Sequence, residues 1–293
     1  MSHRAGFVNI IGNPNVGKST LMNALVGENL SIITSKAQTT RHRIQGIVNG
    51  EDFQMVFSDT PGALKPNYKL HESMMKFVDT ALEDADVFLL VLEAGDEKIE
   101  IEVLDKIKQS DIPLIILLNK IDLRSQQEVK AAADHWEKEI PRAEVLAVSA
   151  LHRFNMQAVF HRVKELLPEN PPYYPKDALT DKSMRFFVSE IIREKIFNQY
   201  RKEIPYSCEV AIDSFKESRE IIRIKAYIFV TKESQRKIVL GYRGKAIKAV
   251  GMDARKDIEA FVDNRVHLDL SVKVKKDWRN DKTELRRMGY ELE

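Results

Sequence analysis

The chain has 293 residues, 43% hydrophobic and 31% charged, which fits an ordinary soluble protein of one large or two smaller domains. No apolar run approaches the ~20 residues that span a bilayer, the start lacks a signal-peptide pattern, and the one cysteine, Cys208, excludes an intrachain disulfide and favours the reducing cytosol. The net charge of +2 divides into −5 over residues 1–180 and +7 over 181–293, so the second half either meets a polyanion or carries a solvated basic face.

A glycine-bearing loop follows the first apolar run, Phe7 to Ile11, and opens a helix-like run, Lys18 to Leu25. The loop fits G-x-x-x-x-G-K-[ST], in which backbone N–H groups turn inward around phosphate at the positive end of a helix. Lys18 can reach the β- and γ-phosphates, and the Ser19 hydroxyl can bind Mg²⁺. The predicted phosphate-binding residues are Gly12, Asn13, Pro14, Asn15, Val16, Gly17, Lys18, Ser19 and Thr20.

Apolar strand candidates then alternate with helical patterns, and Asn49-Gly50 is a hairpin signal between the first two strands. The predicted strands are Ile44–Val48, Phe53–Phe57, Val87–Leu92, Leu114–Leu118 and Val145–Val148. The predicted helices are Leu70–Glu83, Ile99–Lys108, Glu128–Glu139 and Asn155–Leu167. This alternation predicts an α/β fold with a mostly parallel sheet and helices on both faces, and it places ligands at the carboxyl ends of the strands.

Two polar motifs come directly after predicted strands. After the second strand, Asp59 can hold Mg²⁺ through water, and the Gly62 N–H can face a γ-phosphate. An ordinary Pro-Gly turn is the alternative for this motif. Its residues are Asp59, Thr60, Pro61 and Gly62.

The other motif follows Leu114–Leu118 and has features that suit guanine. The carboxylate of Asp122 can accept from the N1–H and 2-amino group of guanine, a pair of donors that adenine does not offer. The stem of Lys120 can pack over a base, and backbone N–H groups after the last strand can meet O6. The residues are Asn119, Lys120, Asp122, Ser149 and Ala150.

The order of these motifs resembles that of translation-factor-type GTPases over about residues 6–168. The resemblance implies a GTP/GDP site with Mg²⁺ held by Ser19, Asp59 and a switch threonine, for which Thr39 and Thr40 are both candidates. We favour Thr40 because it abuts Arg41, as in related GTPases. The resemblance implies that Asn15, Lys18, Thr40 and Gly62 act in hydrolysis.

One position departs from the Ras-like pattern. Where those GTPases have a water-orienting Gln after D-x-x-G, this chain has Ala63, whose side chain cannot hydrogen-bond a water. Asn15 resembles the residue of GTPases that bind K⁺ beside the phosphates. We therefore expect slow, K⁺-stimulated hydrolysis.

A proline-bearing stretch over 171–180 predicts a stiff linker between a GTPase domain, 1–170, and a second domain, 181–293. The second domain shows an α+β pattern. Its predicted elements are a helix over Ser183–Tyr200 and strands over Tyr206–Phe215, Glu220–Val230 and Val266–Lys275.

A G-x-x-G loop with basic flanks lies within this second domain and resembles that of KH RNA-binding domains. Glycines allow close backbone approach, a helix N-terminus offers N–H groups to phosphate, and the cations add charge. A turn with a helix cap is the alternative. Apolar residues predicted to line a groove for bases are Ile238, Leu240, Ile247 and Val250, while Trp278 either touches RNA or packs. The predicted RNA-binding residues are Gly241, Tyr242, Arg243, Gly244, Lys245, Ile247 and Lys248.

The whole chain resembles the bacterial Era family, notably at Gln38–Arg43, Glu190–Lys195 and Val272–Trp278. The resemblance implies a type II KH domain, binding to the 3′ end of 16S ribosomal RNA, and a role in 30S assembly and 16S maturation linked to growth and division. It further implies a monomeric cytosolic protein that partly associates with the inner membrane.

Three alternatives share part of this pattern. A phosphotransferase would need an acceptor pocket, for which no signature is present. An RNA-binding scaffold with a silent nucleotide site would survive Lys18→Ala unchanged. A GTPase acting on the large ribosomal subunit would share the motifs of the first half but would not be expected to carry the KH pattern.

Overall fold

A computed structural model describes residues 3–95 and 101–290, and the chain divides into two compact units. The first unit holds the described residues up to Asn67 together with His71–Asp181. The second holds Tyr68–Leu70 and the chain from Lys182 onward. The first unit runs to Asp181, so residues 171–180, which the sequence predicted as a linker, belong to it.

In the described part of the first unit, six strands form one sheet in the order β2-β3-β1-β4-β5-β6, with β2 antiparallel and the other pairs parallel. The strands are β1 Arg4–Ile11, β2 Ile44–Asn49, β3 Phe53–Asp59, β4 Val87–Glu93, β5 Leu114–Asn119 and β6 Glu144–Ala147. The helices are α1 Lys18–Val26, α2 Lys69–Glu83, α3 Ile101–Gln109, α4 Gln126–Glu139 and α5 Met156–Leu166. The predicted α/β alternation is confirmed; residues 99 and 100 of the third predicted helix lie outside the described residues.

The central strands of this sheet are continuous apolar runs because helices cover both of their faces. Every residue of β5 is buried, and β4 is buried from Val87 to Leu92. Because β1, β3, β4, β5 and β6 run parallel, their carboxyl ends meet at one edge. The phosphate loop, the Asp59 motif and the Asn119 motif all leave the sheet there.

The described part of the second unit has a three-stranded sheet in the order β7-β8-β9, in which β8 pairs antiparallel with β7 and parallel with β9. The strands are β7 Glu209–Lys216, β8 Ile222–Val230 and β9 Val266–Val274. The helices are α6 Met184–Gln199, α7 Ile204–Ser207, α8 Glu233–Leu240, α9 Lys245–Val262 and α10 Lys282–Arg287. The α+β prediction is confirmed, but the strand predicted from Tyr206 begins only at Glu209 because Ile204–Ser207 form α7.

Alternation along β8 sets the core of this unit. Ile222, Ile224, Ala226 and Ile228 are buried among residues of α6 and α9, whereas Arg223 is exposed on the other face. The strand pattern predicted from the sequence is therefore present, with a basic outer face.

Residues 173–181, here called the strap, pack along the free side of β2. Ile47 N donates to Leu179 O at 2.8 Å, and Gln45 N donates to the Asp181 carboxylate at 3.0 Å. The stretch that its prolines predicted as a linker is thus attached to the first unit for most of its length. It covers backbone groups that an edge strand would otherwise expose.

Gln54 on β3 is the side chain that fixes the start of the strap. Its Oε1 accepts from Tyr173 N at 2.7 Å and Tyr174 N at 2.9 Å, and its Nε2 donates to Tyr174 O at 2.9 Å. The Gln54 side chain is fully buried, and its bonds to the strap are partly buried.

We expect Gln54→Ala to loosen the strap, because two backbone N–H groups lose their acceptor. Loss of about 1–2 kcal/mol of local stability raises the open population roughly tenfold. Trypsin should then cut after Lys176, within the strap, about tenfold faster than in the wild type. Gln157→Ala, at an exposed position of α5, is the matched control and should leave the cleavage rate unchanged. Equal cleavage rates in Gln54→Ala and wild type would show that Gln54 does not hold the strap.

Candidate nucleotide site and nucleic-acid interface

The phosphate loop joins β1 to α1, and the side chain of Lys18 turns back into it. Its Nζ donates to Gly12 O at 3.0 Å and to Asn13 O at 2.8 Å. Burial lowers the pKa of Lys18 to about 8, against the raising effect of the nearby Asp59 charge. A buried ammonium inside a loop of backbone N–H groups at a helix start is suited to bind phosphate.

Ser19, Thr40 and Asp59 meet beside Lys18. Ser19 Oγ donates to Asp59 Oδ2 at 2.7 Å and lies 3.0 Å from Thr40 Oγ1, which is 3.3 Å from the same carboxylate oxygen. Thr39 Oγ1 instead bonds Thr34 Oγ1 at 2.6 Å and Lys36 O at 2.7 Å. The structure thus places Thr40, and not Thr39, with the other two predicted metal-binding residues.

The Asp59 carboxyl is fully buried, and burial raises its pKa, opposed by the Ser19 hydroxyl and the Lys18 charge. Among the described residues, its Oδ1 has no hydrogen-bond partner. A buried carboxylate oxygen without a partner, next to two hydroxyl oxygens, suits the oxygen-preferring Mg²⁺ ion. The residues present therefore fit the metal that the sequence predicts.

The Asp59–Gly62 segment is attached to the phosphate loop and the adjacent strand. Thr60 Oγ1 donates to Ile10 O at 2.8 Å, and the N–H of the residue after Gly62 donates to Gly12 O at 3.2 Å. A Cβ at Gly62 would lie 2.6 Å from Pro14 N, so a larger residue would push the two segments apart. Pro61, which lies between Thr60 and Gly62 in the chain, is buried. Close approach, rather than a simple turn, therefore explains the glycine.

At the opposite end of the site, Asn119 joins three loops. Its Nδ2 donates to Val16 O at 2.8 Å, and its Oδ1 accepts from Ala150 N at 3.0 Å. Gly17, with φ +101°, leaves room for this amide, because a Cβ there would lie 2.3 Å from Asn119 Nδ2. The phosphate loop and the loops after β5 and β6 are thereby fixed to one another.

Asp122 lies in the short 3₁₀ turn after β5, and Ser149 Oγ donates to its Oδ1 at 2.5 Å. The backbone N–H groups of Ser149 and Ala150, predicted to meet guanine O6, both donate to protein oxygens here, those of Phe154 and Asn119. These N–H groups shape the loop, and the second carboxylate oxygen of Asp122, Oδ2, lies 3.7 Å from His152 Nε2.

Sequence reasoning missed the partner of Lys120. With φ +61°, Lys120 directs its Nζ to Glu93 Oε2 at 2.6 Å, and Arg124 reaches the other oxygen of Glu93 at 3.3 Å. The bond from Lys120 is the main cause that lowers the pKa of Glu93. Glu93 lies at the carboxyl end of β4 and pairs with Asn119 on β5, and the sequence alone did not show that these two strands are neighbours.

The phosphate end of the site opens into a cavity of about 340 Å³. It is lined by phosphate-loop residues, including Asn15 and Thr20, and by Gly62 and Lys120. Residues of the segment before Thr40 also line it and were not predicted: Ile32, Ile33, Thr34, Ser35, Lys36 and Gln38. Their place in the polar stretch between α1 and Thr40 could have indicated them.

In the second unit, Gly241 ends α8 and Gly244 precedes α9. Gly241, Arg243 and Gly244 all have positive φ, at +69°, +50° and +75°. No atom of the described residues lies within 4 Å of a Cβ placed at Gly244, and Tyr242 is 72% exposed. The start of an 18-residue helix is therefore open to solvent, with exposed Lys245 and Lys248 next to it.

The predicted apolar groove is only partly present. Ile238 is about half exposed, and Leu240 and Ile247 are partly buried, but Val250 is fully buried in the core on the inner face of α9. The assignment of Val250 to the groove was wrong. Trp278 is fully buried as well, and its Nε1 donates to Ser207 O at 3.2 Å, so it packs.

Within the described residues, the structure contains no helix with the length and apolar character needed to cross a membrane.

The fold and site define a phosphate-loop GTPase domain followed by a KH domain. The family described as "50S ribosome-binding GTPase" matches residues 7–120, and the KH domain family matches residues 203–279. GTPase Era of Clostridium kluyveri is 41% identical over 290 residues, which cover 98% of this chain and 99% of that protein. The chain belongs to the Era family of GTPases.

Other relatives agree with this assignment. The chloroplastic GTPase ERA-like protein of Oryza sativa is 43% identical over 298 residues, 99% of this chain and 70% of that protein. A crystal structure of Era with MgGDPNP and nucleotides 1506–1542 of 16S ribosomal RNA matches at TM-score 0.94 and 36% identity, over 99% of this chain and 100% of that one. A point variant of Aquifex aeolicus Era bound to GDP and AlF4⁻ matches with the same values.

Proposed function

We propose that this chain is a Mg²⁺-dependent GTPase that binds the 3′ end of 16S ribosomal RNA through its KH domain and acts in 30S assembly and 16S maturation. The observation that carries the proposal is the convergence of the nucleotide motifs at one sheet edge, where Asn119 bonds both Val16 O and Ala150 N. The structural relative with bound MgGDPNP and 16S fragment supports both halves.

Each residue type has a role in this proposal. Backbone N–H groups of the phosphate loop and the Lys18 ammonium bind the β- and γ-phosphates, while Ser19, Thr40 and Asp59 hold Mg²⁺ directly or through water. When bound, Mg²⁺ neutralises charge on the phosphate oxygens. Gly62 places its N–H toward the γ-phosphate. Asp122 selects guanine, and Ser149 orients its carboxylate.

Hydrolysis needs a substitute for a water-orienting side chain, since Ala63 is buried and apolar. We assign added positive charge beside the phosphates to K⁺ near Asn15, which lines the cavity with φ +66°. This ion would act where an arginine finger acts in other GTPases.

The strap supports coupling between nucleotide and RNA. It pairs with β2, which begins four residues after Thr40, and it ends at Asp181, directly before the segment of the second unit that starts at Lys182. We propose that GTP, by ordering Thr40 and Gly62, raises RNA affinity, and that RNA favours the GTP state because binding coupling is reciprocal. Partial attachment to the inner membrane and a monomeric state stay predictions from the family resemblance.

Asp122→Asn tests nucleotide selection. The amide presents an N–H group to the donors of guanine, so GTP affinity should fall about 100-fold or more. Xanthosine triphosphate, which has a carbonyl in place of the 2-amino group, should bind this variant better than GTP does. Fluorescent nucleotide titration measures both. If wild-type protein fails to retain GTP, or prefers ATP, the proposed function is wrong.

Asn15→Gly tests the cation. Glycine accepts the positive φ at this position, so the variant loses the amide without backbone strain. Hydrolysis by the wild type should be faster in K⁺ than in Na⁺ buffer, and the variant should lose that difference. Equal wild-type rates in the two buffers would remove the role of K⁺.

Gly244→Asp tests the RNA site, with Gly244→Asn as a control of the same shape and a similar tolerance for positive φ. The carboxylate would meet phosphate, so binding of a 3′-terminal 16S RNA fragment should fall at least about tenfold below that of the Asn variant. GTP hydrolysis in the absence of RNA should not change in either variant. Equal RNA affinities for the two variants would argue against phosphate at this helix start.

A further inference from the structure

Arg43 lies three residues after Thr40 and immediately before β2, and its guanidinium is buried in a polar network. Nη1 and Nη2 donate to the two oxygens of Asp84 at 2.6 and 2.9 Å. Nε donates to Ser58 Oγ at 3.1 Å, and Nη2 donates to Asn9 Oδ1 at 3.1 Å. One side chain thus connects the start of β2 with β1, with β3 and with the turn after α2.

The acceptors around Arg43 are themselves fixed. Asn9 Nδ2 donates to Ala81 O at 2.5 Å and to Asp84 Oδ1 at 2.8 Å. Such a network suits a planar guanidinium, which offers N–H groups in several fixed directions. A lysine could keep the charge opposite Asp84 but could not reach all three partners at once. The network therefore sets the position of the chain at Arg43 as well as its charge.

The Arg43 network lies next to the candidate metal site. Arg43 follows Thr40 by three residues, and its partner Ser58 directly precedes Asp59. In the sheet, Ile44 pairs with Asp59, so the two chains are in register at this point. Thr40 Oγ1 and Asp59 Oδ2 are 3.3 Å apart just beyond it. Holding Arg43 to Ser58 therefore holds Thr40 beside Asp59.

We propose that Arg43 is a positioning residue that keeps Thr40 at the metal site when a nucleoside triphosphate is bound. This inference rests on the proposed function. A switch threonine meets Mg²⁺ beside a γ-phosphate and is released when that phosphate is absent. Arg43 should therefore contribute to the affinity for GTP and to hydrolysis, and not to the affinity for GDP. A merely structural arginine would affect both nucleotides alike.

The test uses Arg43→Lys in the full chain, with affinities for GDP and for a non-hydrolysable GTP analogue measured in Mg²⁺, along with kcat. We expect the analogue affinity and kcat to fall at least about tenfold, as when one to two charge-assisted hydrogen bonds are lost, while GDP affinity stays within about twofold. The variant should also need more Mg²⁺ to bind the analogue. Arg162→Lys, at a half-exposed ion pair of α5, is the matched control and should change none of these values.

Ser58→Ala gives a second variant that keeps the charge pair between Arg43 and the partly exposed Asp84. It should lower analogue affinity in the same direction and by less. If both variants retain the wild-type ratio of analogue to GDP affinity, or lose both affinities equally with a falling Tm, the inference is overturned. Failure of the wild type to bind guanine nucleotide would instead overturn the proposed function, so the two failures are distinguishable.

Discussion

The two hydrogen bonds of the Asn119 side chain are the constraint on which the nucleotide site depends. They join the phosphate loop, through Val16 O, to the last loop of the sheet, through Ala150 N. Gly17 must lack a side chain because the amide occupies the space where its Cβ would lie. The buried Asn119 amide thus sets the distance between the phosphate loop and the loop after β6, at the base end of the site. Loss of the Asn119 amide would therefore displace both of these loops.

Beside the loops that Asn119 joins, Lys18 and Asp59 are both buried, and burial disfavours the charged form of each side chain. Burial lowers the pKa of Lys18 to about 8 and raises that of Asp59, and each charge partly offsets the effect on the other. An anionic phosphate next to Lys18 and a cation next to Asp59 would stabilise the charged forms in place of the water that burial excludes. The site is therefore organised for a metal–phosphate pair rather than for either partner alone, which agrees with the MgGDPNP bound by the Era relative.

Local patterns predicted the strands, the order of the motifs and the two folded halves, because these depend on spacing within a few residues. They did not predict contacts between distant residues. The prolines of 171–180 indicated a linker, yet Gln54 binds this stretch from more than a hundred positions away. Val250 looked like a groove residue until the rotation of α9 placed it inward. Glu93 could not be paired with Lys120 before the order of β4 and β5 was known.

Strand β2 is held by three parts of the molecule: the Arg43 network, strand β3 and the strap. Its amino end follows Thr40 and is fixed by Arg43, one side pairs with β3 next to Asp59, and the other side carries the strap. A strand shifts as a unit, because moving one residue changes every hydrogen bond in its register. A displacement of Thr40 would therefore also change the hydrogen bonds of β2 to Leu179 and Asp181. No contact between the nucleotide and the strap is needed for this. The main segment of the second unit begins at the next residue, Lys182, so the backbone runs without a break from the strap into that unit.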